Sequence, residues 1–212
     1  MILAWLEESS PAWPMFCCLI IALGCGAYGA SIGAWRDPIQ GLYAGIKFPL
    51  VIFLTVLVNA LLNGAFGQLF GLRITFRQTS VVVLESFTIV GLILGAFAPI
   101  SFFVLWHLPE LGSDIGLRVY LWIILGHVCV IAYAGIAANL RLYRLIRGIS
   151  NHAGNARRIL FFWLVAGLFV GSQFSWILRP FIGSPLLDVE FLREDAFEGN
   201  FYESILRIFS QL

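Results

Sequence analysis

The feature that most constrains this chain is a series of five apolar segments, each long enough to cross a bilayer as a helix. A spanning helix needs about 20 predominantly apolar residues, and the segments cover about residues 13–34, 48–71, 80–106, 119–140 and 159–178. Only 12% of the residues are charged, against about 25% in soluble domains. The sequence therefore predicts an all-α integral membrane protein, a bundle of five transmembrane helices. It excludes a soluble enzyme, a secreted disulfide scaffold and a nucleic-acid-binding domain.

After the five-span domain, residues 1–180, the sequence predicts an outer tail, residues 181–212, with a C-terminal amphipathic helix at about 200–212. Asn200 and Glu203 have the spacing of a capping box, which marks a helix start. The apolar residues that follow on one helical stripe are Phe201, Ile205, Ile208, Phe209 and Leu212. Such a helix lies on a membrane–water interface or docks on another protein, and we favour the interface.

Local charge predicts how the bundle is oriented. Five arginines fall within one connection between spans: Arg141, Arg144, Arg147, Arg157 and Arg158. Because positive residues near span ends favour the cytoplasm, we expect this connection and the N-terminus to be cytoplasmic. The C-terminus is then outside, and a bacterial inner membrane is the expected location. There the arginines would bind anionic lipid headgroups or a cytoplasmic partner.

Small residues recur at a spacing of four on three of the predicted spans: Gly29 and Gly33, Gly91 and Gly95, and Gly167 and Gly171. Such rows let helix backbones approach closely in lipid, where no hydrophobic drive brings helices together. One interpretation is packing within a single bundle. The other is contact with a second subunit, either another membrane protein or a second copy of this chain.

Five polar residues lie inside the predicted spans: Asn59, Asn63, Glu85, His127 and Gln173. An ionisable side chain at membrane depth is a candidate for a functional site, because burying its charge there is costly. Counting about 1.5 Å per residue predicts Asn59 and His127 at one depth. The same count predicts that Asn63 and Glu85 share a second depth, nearer the inner edge of the membrane. These residues form a candidate intramembrane polar layer in which each pair could meet across helices.

Each ionisable member of this layer also has a structural interpretation. Glu85 is close enough to the start of its span to form an interfacial ion pair with Arg77 or Arg73. A neutral His127 can donate a hydrogen bond to an asparagine or to a backbone carbonyl. In either case the residue stabilises the fold, whereas the functional alternative is a proton relay through both residues.

Motifs for catalysis and for metal binding are missing from the sequence. It contains no HExxH pair, no paired-carboxylate face, no serine nucleophile elbow and no glycine-rich phosphate loop. Its four cysteines, Cys17, Cys18, Cys25 and Cys129, lie in apolar stretches and are typical of small core residues. We therefore predict no catalytic residue, no cofactor and no metal site.

Two stretches resemble known proteins. Lys47-Phe-Pro-Leu and Gly71-Leu-Arg-Ile-Thr-Phe-Arg-Gln-Thr79, together with five spans and an inner N-terminus, resemble the Yip1-like membrane family over about the first three spans. No stretch corresponds to the acidic cytoplasmic domain of many eukaryotic members, so the resemblance implies a fold rather than a trafficking role. The motif Trp176…Arg179-Pro-Phe…Gly183-Ser-Pro185 resembles one in uncharacterised bacterial multi-span proteins. Neither resemblance supplies a catalytic residue.

These observations leave two hypotheses for function. The first is a non-enzymatic integral membrane subunit or scaffold of a membrane complex, which holds partners through glycine rows, the basic connection and the outer tail. The alternative is a small channel or transport component that uses the polar layer. Polar residues that converge in the bundle would favour the second hypothesis, and polar residues that face separate neighbours would favour the first.

Overall fold

The computed structural model describes residues 12–70, 75–108, 114–149, 153–183 and 188–210. Within these residues all regular structure is helical: α1 (Ala12–Ala34), α2 (Pro38–Leu69), α3 (Phe76–Trp106), α4 (Asp114–Ile149), α5 (Ala153–Ile177) and α6 (Phe201–Ser210). Each of α1 to α5 contains a stretch long and apolar enough to cross a membrane. The predicted fold class, an all-α bundle of five transmembrane helices followed by a short C-terminal helix, is confirmed.

Two helices extend well beyond the apolar segments that predicted them. Helix α2 begins at Pro38 because Asp37 caps it, with a carboxylate oxygen that accepts a hydrogen bond from the backbone N–H of Ile39 at 2.7 Å. Proline suits the first helical turn, where its missing N–H is not needed. Helix α4 continues to Ile149 because apolar side chains alternate with the arginines there, and Leu145 and Ile146 are buried.

Helix α1 packs against both α2 and α3, and these three helices form what we call the α1–α3 core. The backbones approach so closely that a side chain would not fit between them. A Cβ atom at Gly29 would lie 2.5 Å from the carbonyl oxygen of Ala44 on α2. A Cβ atom at Gly95 would lie 2.9 Å from the Cα of Gly24 on α1. Close backbone packing of this kind stabilises helix bundles in lipid.

Helices α4 and α5, which we call the α4–α5 side, lie against this core. Helix α4 contacts α3, and α5 contacts α2. At one end of the bundle, a buried apolar cluster that includes Val82, Ile146 and Ile159 joins α3, α4 and α5. Among the spanning helices that touch one another in the described residues, α4 and α5 share the least contact. Space between helices is therefore expected on this side.

The chain after α5 folds back over the start of α2. Lys47 on α2 is fully buried, and its Nζ donates a hydrogen bond to the carbonyl oxygen of Pro180 at 3.0 Å. Nε2 of Gln40 donates to the carbonyl oxygens of Pro180, at 3.0 Å, and Phe181, at 2.9 Å. The ring of Phe191 lies 5.0 Å from Lys47 Nζ, within the range of a cation–π contact. The first part of the C-terminal tail is thus fastened to the α1–α3 core.

Helix α6 begins as its capping sequence predicts and then contacts α5. The side-chain oxygen of Asn200 accepts a hydrogen bond from the backbone N–H of Glu203 at 2.9 Å. The hydroxyl groups of Tyr202 and Ser172 are 2.9 Å apart, and the Tyr202 ring stacks on Phe169 with centroids 5.3 Å apart. The predicted apolar stripe falls largely on side chains outside the described residues, so its place on the membrane interface stays a prediction.

Candidate functional site

A partly open cavity of about 350 Å³ lies between α2, α3, α4 and α5, on the side where α4 and α5 touch least. Most of its wall is apolar, with side chains such as Val51, Phe87, Leu142 and Leu164. All four of these helices contain membrane-spanning stretches. The cavity therefore lies within the membrane-spanning bundle.

A stripe of polar side chains runs down the α2 wall of this cavity. Thr55, Asn59 and Asn63 are spaced four residues apart, which places them on one helix face, and each is only 3% exposed. The oxygens Thr55 Oγ1, Asn59 Oδ1 and Asn63 Oδ1 have no hydrogen-bond partner among the described residues. A buried polar group without a partner costs about 1–3 kcal/mol. We call these three residues the α2 stripe.

The glycine row of α5 faces the α2 stripe. A Cβ atom at Gly167 would lie 3.1 Å from Nδ2 of Asn59, and one at Gly171 would lie 3.7 Å from Thr55. The two helices are antiparallel in this register, so Trp163, one turn before Gly167, lies at the level of Asn63. Trp163 lines the cavity, and its Nε1–H is buried without a partner among the described residues. The small α5 row therefore packs closely against the α2 stripe, and its glycines supply no side chain that could bond to the stripe.

Three other polar side chains on the described cavity wall are already hydrogen-bonded. Ser86 Oγ donates to the carbonyl oxygen of Ala138 at 3.1 Å. Asn139 Nδ2 donates to the carbonyl oxygen of Gly135 at 2.8 Å. Ser172 Oγ donates to the carbonyl oxygen of Phe169 at 2.9 Å. Within the described wall, the unpartnered polar atoms are therefore concentrated on the α2 stripe and on Trp163.

The ion pair predicted for Glu85 exists, but its partner is different. Nε and Nη2 of Arg141 donate to Oε1 of Glu85 at 3.2 and 2.7 Å, so the predicted partner Arg77 is wrong. Arg77 lies eight residues earlier on the same helix, about 12 Å away along its axis, whereas α4 packs beside α3 and brings Arg141 opposite Glu85. The other predicted partner, Arg73, lies outside the described residues.

His127 also has a partner that the sequence did not predict. Its Nδ1 lies 2.8 Å from the hydroxyl of Tyr28, and the two rings meet edge to face with centroids 5.5 Å apart. The predicted asparagine or carbonyl partner is therefore wrong, since α4 turns His127 toward α1. Neither His127 nor Glu85 lines the cavity.

The candidate polar layer therefore divides among different places in the bundle. Asn59 and Asn63 share the cavity wall, whereas Gln173, which is partly buried on α5, does not line it. The prediction missed Thr55 and Trp163. A signal for Thr55 was present, because it lies four residues before Asn59. Trp163 gave no polar signal, because its indole counts as apolar.

The six predicted packing glycines all face helices of their own chain. Besides those described above, a Cβ atom at Gly33 would lie 2.5 Å from the carbonyl oxygen of Gln40 on α2. A Cβ atom at Gly91 would lie 3.0 Å from the Cα of Ile21 on α1. These rows are occupied within the bundle.

The five predicted arginines lie at the adjoining ends of α4 and α5. Arg144, Arg147, Arg157 and Arg158 are exposed, and the side chain of Arg141 is 44% exposed although it bonds to Glu85. Exposed guanidinium groups at a helix end can bind phosphate oxygens. Their contact with lipid headgroups and their place in the cytoplasm stay predictions.

Comparisons with family models, with curated proteins and with solved structures find no match for this chain. The Yip1-like resemblance stays a prediction from the sequence stretches that carry it. Within the described residues there is no group of three His, Cys, Asp or Glu side chains that could hold a metal ion. What this membrane protein does is therefore inferred from the cavity.

Proposed function

We propose that this integral membrane protein binds a small amphipathic molecule in the cavity between α2, α3, α4 and α5, as a membrane binding or transport component. The observation that carries the proposal is the α2 stripe: its three residues line the cavity, and their side-chain oxygens are buried without a partner among the described residues. Because such groups are costly to bury unsatisfied, a molecule that supplies their hydrogen bonds would bind with a gain in stability.

The size and chemistry of the cavity support this proposal. Ligand pockets are mostly apolar clefts of about 300–1,000 Å³ with a few polar groups that orient the ligand. The volume of about 350 Å³, the apolar wall and the single polar stripe match that description. A proton relay has no comparable support, because Glu85 and His127 are hydrogen-bonded to different neighbours outside the cavity.

The alternative role as a subunit or scaffold of a membrane complex stays a prediction. Its strongest sequence argument was the set of glycine rows, and these rows pack within the chain. The exposed arginines at the ends of α4 and α5 and the outer tail are the remaining surfaces for a partner. Protein that co-purifies stoichiometrically in mild detergent would support this role.

A pair of glycines on α4 provides a matched test of the cavity. A Cβ atom at either Gly135 or Gly126 would meet no described atom within 4 Å. Gly135 lines the cavity, whereas Gly126 is exposed and does not. Gly135→Leu should therefore fill the cavity, and Gly126→Leu should add the same side chain outside it. The two changes have the same effect on helix propensity.

The measurement is mass spectrometry of the small molecules that co-purify with each folded variant in mild detergent. We expect Gly135→Leu to retain about one tenth or less of the amphiphile that the wild type retains. A tenfold change in an equilibrium corresponds to about 1.4 kcal/mol of binding free energy. Gly126→Leu should retain the wild-type amount. Equal retention by both variants, with both folded, would contradict the proposal.

A further inference from the structure

We infer that the molecule bound in this cavity is an uncharged amphiphile whose polar end carries hydroxyl groups. The inference rests on the proposed function and specifies the chemistry of the ligand. It depends on three properties of the described cavity wall: its lack of charge, the mixture of unpartnered donors and acceptors, and the length of the polar stripe.

The cavity wall carries no charged side chain. Among the described residues that line it there is no Asp, Glu, Lys, Arg or His. The nearby carboxylate of Glu85 is outside the lining and is already paired with Arg141. A charged headgroup would therefore enter a low-dielectric site without a counter-charge, which is strongly unfavourable. The ligand is therefore neutral.

The unpartnered atoms require both a donor and an acceptor from the ligand. Oδ1 of Asn59 and Oδ1 of Asn63 can only accept hydrogen bonds, whereas Nε1 of Trp163 can only donate. A ketone or an ether only accepts and would leave the asparagine oxygens unsatisfied. An ammonium group only donates and would leave Trp163 unsatisfied. A hydroxyl group both donates and accepts.

The length of the α2 stripe indicates more than one hydroxyl group. Thr55 and Asn63 are eight residues apart, about 12 Å along the helix. A single hydroxyl cannot reach both ends of that distance. Most of the remaining wall is apolar, so it suits the hydrocarbon part of the same molecule. Two adjacent hydroxyl groups can reach stripe members one turn apart, about 6 Å along the helix, and a polyol can reach further. A neutral lipid with a diol or polyol headgroup therefore suits the stripe.

The test compares probes that differ only at the polar end. They are a long-chain monoacylglycerol, its bis-methyl ether, and an amine of the same chain length. Binding to the full chain in detergent is measured by native mass spectrometry. We expect the diol to bind at least about tenfold more tightly than either of the other probes, because both lack one half of the required hydrogen bonding.

Two conservative variants locate this preference. Thr55→Val removes a hydroxyl at nearly constant shape and should reduce the preference for the diol over its ether severalfold. Trp163→Phe removes the N–H together with part of the indole ring and should reduce the preference for the diol over the amine severalfold. Their matched controls are Thr88→Val and Trp122→Phe. Thr88 is buried but bonds to the carbonyl of Leu84, and Trp122 is exposed. The controls should bind the diol as the wild type does.

The outcomes separate this inference from the proposed function. If the diol and the ether bind equally and Gly135→Leu abolishes both, the cavity binds amphiphiles and the hydroxyl inference is wrong. If the amine binds best, the inference of a neutral ligand is wrong. If no probe binds and Gly135→Leu loses no co-purified molecule, both the inference and the proposed function fail. If Trp163→Phe does not fold, Thr55→Val alone decides.

Discussion

The α1–α3 core and helix α4 of the α4–α5 side use the same residue type in opposite ways. In the core, a Cβ atom at Gly29 would lie 2.5 Å from a backbone oxygen of α2, so the glycine allows two helices to touch. On the α4–α5 side, a Cβ atom at Gly126 or Gly135 meets no described atom within 4 Å. A glycine in the sequence thus marks a position without a side chain. Only the neighbouring helix determines whether that position is filled by its backbone or left as open space.

Buried polar groups differ between the two regions in a related way. Where α2 faces the tail, Lys47 is fully buried and bonded to the carbonyl of Pro180 at 3.0 Å. Where α2 faces α5, the oxygens of Thr55, Asn59 and Asn63 have no partner in the described structure. Lys47 is therefore bonded where it is buried, whereas the three stripe oxygens are not. Oε1 of Gln40 and Oγ of Ser101, outside the cavity, also lack a partner in the described structure. A binding site requires this combination of a rigid support and unsatisfied groups.

The largest expected effect comes from forcing the core apart. Gly29→Leu places a side chain where α1 and α2 touch, and we expect a loss of about 3 kcal/mol or more in the free energy of unfolding, at the upper end of overpacking effects. Gly126→Leu is the matched control and should be neutral or slightly stabilising. Unfolding in detergent is the measurement. Similar stability of the two variants would mean that the core and the α4–α5 side do not differ in packing.

A smaller effect is expected at the junction between the two regions, where Glu85 on α3 bonds to Arg141 on α4. A double-mutant cycle of Glu85→Gln and Arg141→Gln should give a coupling energy of up to about 1 kcal/mol, because the arginine side chain is partly exposed and screened by water. The same cycle with Arg77→Gln in place of Arg141→Gln should give no coupling energy.

The same variant also tests for a transport role of the charge itself. Glu85→Gln should leave ion flux across liposomes unchanged, because the carboxylate bonds to Arg141 and does not line the cavity. Flux that is present in the wild type and disappears in Glu85→Gln would overturn the structural role.

The smallest effect is expected at the attachment of α6 to the α4–α5 side. Tyr202→Phe removes the hydrogen bond to Ser172 but keeps the ring that stacks on Phe169. We expect a loss of about 0.5 kcal/mol, which corresponds to roughly twofold faster amide exchange in α6. Tyr133→Phe, on an exposed position of α4, is the control. Unchanged exchange would show that α6 is held by something other than α5.

Much of the fold follows from the sequence because the length of an apolar run is a local property of the chain. Each spanning helix was predicted, since an apolar run must satisfy its backbone internally in lipid and a helix does so. The early start of α2 was not predicted, whereas Arg141, Arg144 and Arg147, which follow one helical flank, predict that α4 continues to about Arg147. At Pro38 a cap starts the helix before the apolar run, and at Leu145 the buried face is interrupted by arginines. A criterion based on continuous apolar length does not detect either feature.

Partner identity was predicted less well because it depends on how helices pack. The depth count placed Asn59 with His127 and Asn63 with Glu85, but depth does not specify which helices are neighbours. In the structure α4 directs His127 toward Tyr28 on α1 and Arg141 toward Glu85 on α3. The burial of Lys47 is a similar case, because the carbonyl that it bonds belongs to a segment more than a hundred residues later.

By itself the sequence determined that this chain is a five-span helical membrane protein, because long apolar runs and few charges leave the bilayer as the only suitable solvent. It also determined which helix faces are small and which are polar, because those faces follow from a spacing of four. Only the tertiary structure decided that the glycines of α1 and α3 close a core while the glycine row of α5 stands opposite the polar stripe of α2. That difference arises because the neighbouring helix decides what a small face packs against: the backbone of α1 or α2 in the core, and buried polar side chains of α2 at α5.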